Sequence, residues 1–193
     1  MELTVIILAG GRSRRMGVDK AGLDLAGERL LTRVYQRVIR WQPAEILISG
    51  PPRPWLAARY LPDPPGIQPS SLLGFYTGLL ASKSRWNLVV GCDMPFVQRE
   101  FVDLLWQHKN AGGAVARWQH RLQPLPGLYP ATALEIITEL FSERRYHLAA
   151  LLDRLAPTAL SPEQVAAVDP DGLSFFNINA PDDLTAAKHI MGT

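Results

Sequence analysis

Near its start the chain carries a continuous apolar run, Leu3-Thr4-Val5-Ile6-Ile7-Leu8, interrupted only by a threonine. Comparable runs recur at Ile46–Ser49, Trp86–Cys92 and Ala114–Trp118, with weaker ones at Leu125–Tyr129 and Val165–Val168. Between them the apolar positions switch to helical spacing. Leu31, Val34, Val38 and Trp41 share one face, as do Leu134, Ile137 and Phe141, and Phe101, Leu104 and Leu105 mark another helix. A last helix is expected from Pro181, because proline suits the first helical position and Asp182 and Asp183 face the positive end of the helix dipole. Strands that are apolar throughout are those covered on both faces. Alternating with helices, they predict an α/β fold: a three-layer, Rossmann-like open sheet, mostly parallel, with helices on both faces. Ligands of such sheets bind where loops leave the C-terminal ends of the strands. Pro51–Trp55 and Leu61–Ser71 hold seven of the 16 prolines and predict a stiff loop around a short helix, over or beside that edge.

Composition narrows this picture. The 193 residues fit one domain spanning 1–193, and 47% apolar with 20% charged residues predicts a packed core rather than disorder. A net charge of +2 is too small to make nucleic acid or an acidic membrane surface the main partner, so any functional positive charge must be local. The lone cysteine, Cys92, can form no intrachain disulfide and reads as a small buried hydrophobe. The first residues lack a basic region and a cleavage site, and no apolar stretch approaches the roughly 20 residues a bilayer span needs. A cytoplasmic location is expected. The four histidines have no metal-ligand spacing, Ser13 has no His/Asp partner in evidence, and Arg144-Arg145-Tyr146-His147 reads as a solvated helix start, with reach to an anionic substrate as the alternative.

Local charge does appear in Leu8-Ala9-Gly10-Gly11-Arg12-Ser13-Arg14-Arg15-Met16-Gly17-Val18-Asp19-Lys20, directly after the first run. Glycines let a ligand touch the backbone, and successive N–H groups in such a turn cradle anions. Arg12, Arg14, Arg15 and Lys20 add charge-assisted donors suited to a triphosphate. The competing reading is a glycine turn with solvated arginines. It is neither a Walker loop, since Gly11 to Gly17 is one residue too long and Val18-Asp19 follows, nor a G-x-G-x-x-G dinucleotide fingerprint. Asp93 ends the Trp86–Cys92 run, where a single carboxylate beside phosphates meets what Mg²⁺ wants of a protein; a loop or helix-capping aspartate is the alternative. Asp63, between prolines, is first a turn residue. Asn177 and Asn179 would share a face if extended, or bond turn backbone before the last helix.

The run L-A-G-G-x-S-x-R-M-G-x-D-K resembles the signature of nucleotidyltransferases, and most closely that of the molybdenum cofactor guanylyltransferase (MobA-like) family. The resemblance continues through Gly91-Cys92-Asp93-Met94-Pro95-Phe96, Arg121-Leu122-Gln123-Pro124-Leu125 with Tyr129, and Asn177-Ile178-Asn179-Ala180-Pro181-Asp182-Asp183-Leu184, in order along nearly the whole chain. It implies a Mg²⁺-dependent enzyme that transfers GMP from GTP to molybdopterin and releases pyrophosphate. It implies GTP binding by Leu8, Ala9, Gly10, Gly11, Lys20, Ser49, Asp63 and Asp93, and catalytic roles for Arg15, Lys20 and Asp93. Asp93 would also hold the metal, and Asn177 and Asn179 would lie beside the pterin. The substrates would be GTP and molybdopterin, with transient contact to proteins that deliver or accept the cofactor, and no nucleic acid or membrane.

Three positions depart from the resembled pattern. Ser49 stands where asparagine is usual, Ser70 replaces a glycine ahead of Gly74, and Ala180 replaces a hydroxyl cap. Enzymes that use CTP tend to read L-A-A-G where this chain has Leu8-Ala9-Gly10-Gly11. The missing Cβ at Gly10 favours a purine, with a cytidylyltransferase or sugar-phosphate nucleotidyltransferase as the alternative. A non-catalytic nucleotide binder on the same fold is a further class, against which the joint presence of Lys20 and Asp93 argues.

Overall fold

The computed structural model describes residues 2–10 and 19–192. Gly11 and Arg15, with Arg12 and Arg14, lie outside the described residues.

In chain order the elements are β1 (Leu3–Leu8), β2 (Asp24–Leu25), β3 (Glu28–Arg29), α1 (Leu30–Ile39), β4 (Glu45–Ser49), β5 (Arg59–Leu61), α2 (Ser71–Ala81), β6 (Trp86–Gly91), α3 (Arg99–His108), β7 (Ala114–Trp118), β8 (Arg121–Pro130), α4 (Ala133–Ser142), α5 (Leu148–Leu155), β9 (Thr158–Leu160), α6 (Pro162–Ala166) and α7 (Pro181–Met191). Seven strands form one sheet in the order β5-β4-β1-β6-β8-β7-β9, and β2 and β3 pair separately. β1 pairs in parallel with both β4 and β6, and β4 with β5. β8 enters antiparallel between β6 and β7. The sheet is therefore mostly parallel on the β1 side and mixed beyond β6.

The continuous apolar runs have the expected cause. Along β1, Leu3, Val5 and Ile7 face a core built with Leu31, Val34 and Val38 of α1 and Phe101, Val102 and Leu105 of α3. Ile6 faces the opposite core, with Leu72, Phe75 and Leu79 of α2 and Ile137 and Leu140 of α4. Val5, Ile6 and Ile7 are fully buried, each stabilising the fold by about 1.5–3 kcal/mol relative to exposure. Helices thus cover both faces, as the sequence predicts. A satellite cluster of Leu25, Leu30, Phe96, Ile178 and Ala187 docks α7 beside β2.

Two local expectations are corrected. The proline-rich segment holds a strand, β5, rather than a short helix. Pro62 disfavours helical backbone at Leu61, and Leu47, Ile48 and Ser49 of β4 supply the ladder partners. Val165–Val168 is not a strand: Val165 lies in α6, whose start is a capping box formed by Ser161 and Gln164 with Pro162 in the first turn. The strand of that region is β9, which pairs in parallel with β7.

Helix α2 lies close against the central strand. A Cβ on Gly78 would fall 2.5 Å from Ile6 Cγ2 and 2.8 Å from Ile6 Cδ1, both inside the core. Gly78→Leu is expected to destabilise the protein by about 2 kcal/mol through overpacking, read as a lower urea midpoint at unchanged slope.

Candidate functional site

The carboxyl edge of the sheet gathers the residues that follow β1, β4, β5 and β6. Hydrogen bonding continues past the strand ends: Ala9 N–H donates to the Ser49 carbonyl at 2.7 Å, Cys92 N–H to that of Leu8 at 3.0 Å, and Gly50 N–H to that of Leu61 at 2.9 Å. These bonds hold Ala9-Gly10, Ser49-Gly50 and Cys92-Asp93 side by side. Gly50 has φ +148°, and a Cβ there would stand 2.8 Å from the Ala9 carbonyl carbon and oxygen. Only glycine lets the two loops approach this closely.

On one side of this edge, Lys20 Nζ lies 2.8 Å from Asp93 Oδ2 and 2.5 Å from Asn179 Oδ1. The lysine sits on a single 3-10 turn, Lys20–Gly22, anchored by the buried side chain of Ala21. Its neighbour Asp19 is paired with Arg53 at 2.8 Å. The side chains of Lys20 and Asp93 are 17% and 21% exposed, so the pair is shielded yet open to a ligand. Asp93 is fixed from behind, because its carbonyl accepts the Ile178 N–H at 2.9 Å. Asn179 and Ala180 N–H groups both donate to Asp183 Oδ2, at 2.7 and 2.8 Å. That carboxylate supplies the reach-back half of a capping box at the start of α7, while Ala180 has no hydroxyl for the other half.

On the other side, Asp63 Oδ1 accepts from Ser49 Oγ at 3.2 Å and lies 3.0 Å from Thr77 Oγ1. Ser49 is fully buried. Gly74 makes room for it, since a Cβ at that position would come 3.0 Å from Ser49 Oγ. Ser70 occupies the N-cap of α2, accepting from Leu73 N–H at 3.1 Å. A Cβ on Gly10 would stand 3.3 Å from Asp63 Oδ2. The vacancy at Gly10 therefore serves the Asp63 carboxylate directly, not only the bulk of a base.

The sequence-predicted residues thus fall into two groups, Lys20-Asp93-Asn179 and Gly10-Ser49-Asp63, with Leu8 and Ala9 on the strand end between them. Asn177 joins neither: its amide donates to the Phe175 carbonyl at 3.1 Å, so it bonds turn backbone and does not share the direction of Asn179. Cys92 is buried, and burial, then the nearby Asp93 charge, push its thiol well above the ordinary range, in keeping with a packing role. Thr77 and Arg53 were not legible as site residues. The signal for Thr77 is an aliphatic hydroxyl in the mostly apolar Leu72-Leu73-Gly74-Phe75-Tyr76-Thr77-Gly78-Leu79 stretch. Among the described residues no group of three or more His, Cys, Asp or Glu side chains is placed to hold a metal, and no helix is long and apolar enough to cross a membrane.

The chain matches the family model of the MobA-like NTP transferase domain over residues 5–159. It is 33% identical to the probable molybdenum cofactor guanylyltransferase of Pelotomaculum thermopropionicum, over 97% of this chain and 93% of that one. Its fold is similar to that of molybdopterin-guanine dinucleotide biosynthesis protein A from Archaeoglobus fulgidus, with a TM-score of 0.79, 23% identity and 98% of each chain covered. It is also similar in fold to 2-C-methyl-D-erythritol 4-phosphate cytidylyltransferase from Thermus thermophilus, with a TM-score of 0.71, 22% identity and 100% of both chains covered. The fold is thus shared with a structure named for cytidylyl transfer, and the base must be argued from side chains.

Replacing Gly50 by alanine should push the loop after β4 off Ala9. The expected cost is about 1–3 kcal/mol, seen as a lower melting temperature, since positive φ and backbone contact both oppose a side chain there.

Proposed function

This chain belongs to the MobA-like NTP transferase domain family, and from that premise we propose that it transfers GMP from GTP to molybdopterin, forming the guanine dinucleotide cofactor and pyrophosphate. The supporting observation is the ammonium of Lys20 held 2.8 Å from Asp93 Oδ2 at the end of β6, beside the edge where Leu8, Ala9 and Gly10 emerge. The full-length similarity to proteins named molybdenum cofactor guanylyltransferase supports the substrate pair.

In this reading a phosphate oxygen of molybdopterin forms a bond to the α-phosphorus of GTP, and the bond from that phosphorus to the bridging oxygen breaks. The electron pair leaves on pyrophosphate. The nucleophile is already anionic, so no general base is needed, and the rate comes from alignment and neutralised charge. Lys20 and Arg15 meet the triphosphate, and Leu8, Ala9 and Gly10 approach the nucleotide through their backbone. Asp63 borders the base with Ser49 bonded behind it, while Asn179 borders the pterin.

The donor set at Asp93 fits Mg²⁺. One carboxylate, already paired with a cation in the form of Lys20, suits a metal that takes one or two protein carboxylates and completes its shell with phosphates and water. Asp93 would hold the ion there, whose charge would offset that developing on the leaving group. Lys20 would turn from the carboxylate toward phosphate. A cytoplasmic setting and passing contact with cofactor-delivering or cofactor-accepting proteins belong to the same reading.

Incubation with GTP, molybdopterin and Mg²⁺ should release pyrophosphate and form the dinucleotide; no pyrophosphate with a competent pterin overturns the reading. Asp93→Ala should slow turnover at least about 100-fold at an unchanged melting temperature. Chelating the metal should stop turnover reversibly. GTP with Mg²⁺ should raise the melting temperature more than CTP does, and the reverse order would overturn the choice of base.

A further inference from the structure

We propose that Thr77, together with Ser49, is a positioning residue that turns Asp63 into a reader of the guanine edge; this rests on the GTP assignment above. A carboxylate oxygen has two lone-pair positions. At Asp63 Oδ1 both are taken, by the hydroxyls of Ser49 at 3.2 Å and Thr77 at 3.0 Å. The Thr77 hydroxyl also lies 3.0 Å from the Leu73 carbonyl, one turn earlier in α2. It has a single proton, and that carbonyl already serves the helix ladder, so the anionic oxygen is the stronger claimant.

The consequence falls on the other oxygen. Among the described residues, none hydrogen-bonds to Asp63 Oδ2, and it points to the space beside Gly10, 3.3 Å from where a Cβ would be. The carboxylate is thus held by one oxygen and offers the other, with two free acceptor positions, at the loop end assigned to the base. Guanine presents two adjacent donors, N1–H and the 2-amino group. The Watson–Crick edges of adenine and cytosine each set a ring-nitrogen acceptor beside the amino group, and an anionic oxygen repels it. Gly10, Ser49, Asp63 and Thr77 then act as one selectivity unit. An alanine at position 10 would crowd Oδ2, and the short Ser49 side chain contributes through the aspartate rather than by reaching the base.

The experiment is equilibrium binding of GTP, ITP, XTP and CTP with Mg²⁺ to the full chain and to Thr77→Val, Thr77→Ser and Asp63→Asn. ITP lacks the 2-amino donor, so the wild type should prefer GTP to ITP by about tenfold or more, as expected for a hydrogen bond to a charged group. Thr77→Val should lower that ratio by about threefold or more, and Thr77→Ser should restore it. In Asp63→Asn the two hydroxyl donors keep the amide oxygen at the Oδ1 position, which places the NH₂ at the Oδ2 position. That variant should come to prefer XTP, which carries an acceptor where guanine has its amino group. A Thr77→Val protein with the wild-type GTP/ITP ratio, or an Asp63→Asn protein with no gain for XTP over GTP, overturns the inference. If Thr77→Val does not fold, the Asp63→Asn comparison decides alone. A wild type that favours CTP over GTP instead defeats the GTP assignment, a distinct outcome.

Discussion

The in-register parallel pairing of β1 with both of its neighbours is the constraint on which the site depends. Leu8 sits opposite Ser49 of β4 and opposite Gly91 of β6. Three strand ends therefore stop flush, and the loops that follow emerge together. A slip of one residue on either side would exchange the two faces of a strand buried on both, so the apolar packing that stabilises the sheet also fixes the alignment of Gly10, Gly50 and Asp93. The antiparallel strand β8 contributes by pairing with only part of β6. Its register with β6 ends at Val89 opposite Gly127, so among the described residues Val90 and Gly91 have no ladder partner on that side.

Much of this was legible because its causes are local. Apolar runs marked β1, β4, β6 and β7, helical spacing marked α1, α3 and α4, and Pro181 with its two aspartates marked α7. The two errors have different causes, one long-range and one local. Leu61 is extended because β4 offers it hydrogen-bond partners across the sheet, and Val165 is helical because of a capping box four residues earlier. In the site, Lys20 and Asp93 could be singled out from their motifs. Their meeting through side chains 73 positions apart could not be read from spacing. Asn177 and Asn179 looked equivalent by alternation, but Asn177 turns to the Phe175 carbonyl while Asn179 reaches Lys20.

The departures from the resembled pattern are each absorbed by a neighbouring polar group. Ser70 caps the helix that carries Thr77. Asp183 reaches back to the Asn179 and Ala180 N–H groups, and its own N–H, the donor a hydroxyl at Ala180 would have met, bonds the Ala180 carbonyl. Ser49, shorter than asparagine, is joined to Asp63 instead. These are hydrogen-bond substitutions in which the donor or acceptor moves by a residue or two while the backbone groups stay satisfied.

The bond between Lys20 and Asn179 spans 159 positions, and Asp93 is further held by Ile178. Both partners lie beyond residue 159, where the family match ends. A chain growing on the ribosome has its glycine-rich loop and Asp93 long before it has Asn179. The lysine end of the site therefore cannot close until Asn179 has been made, and a shorter nascent chain holds Lys20 and Asp93 without the contact that Asn179 adds. Loop closure over that distance also places this contact among those with the largest entropic cost.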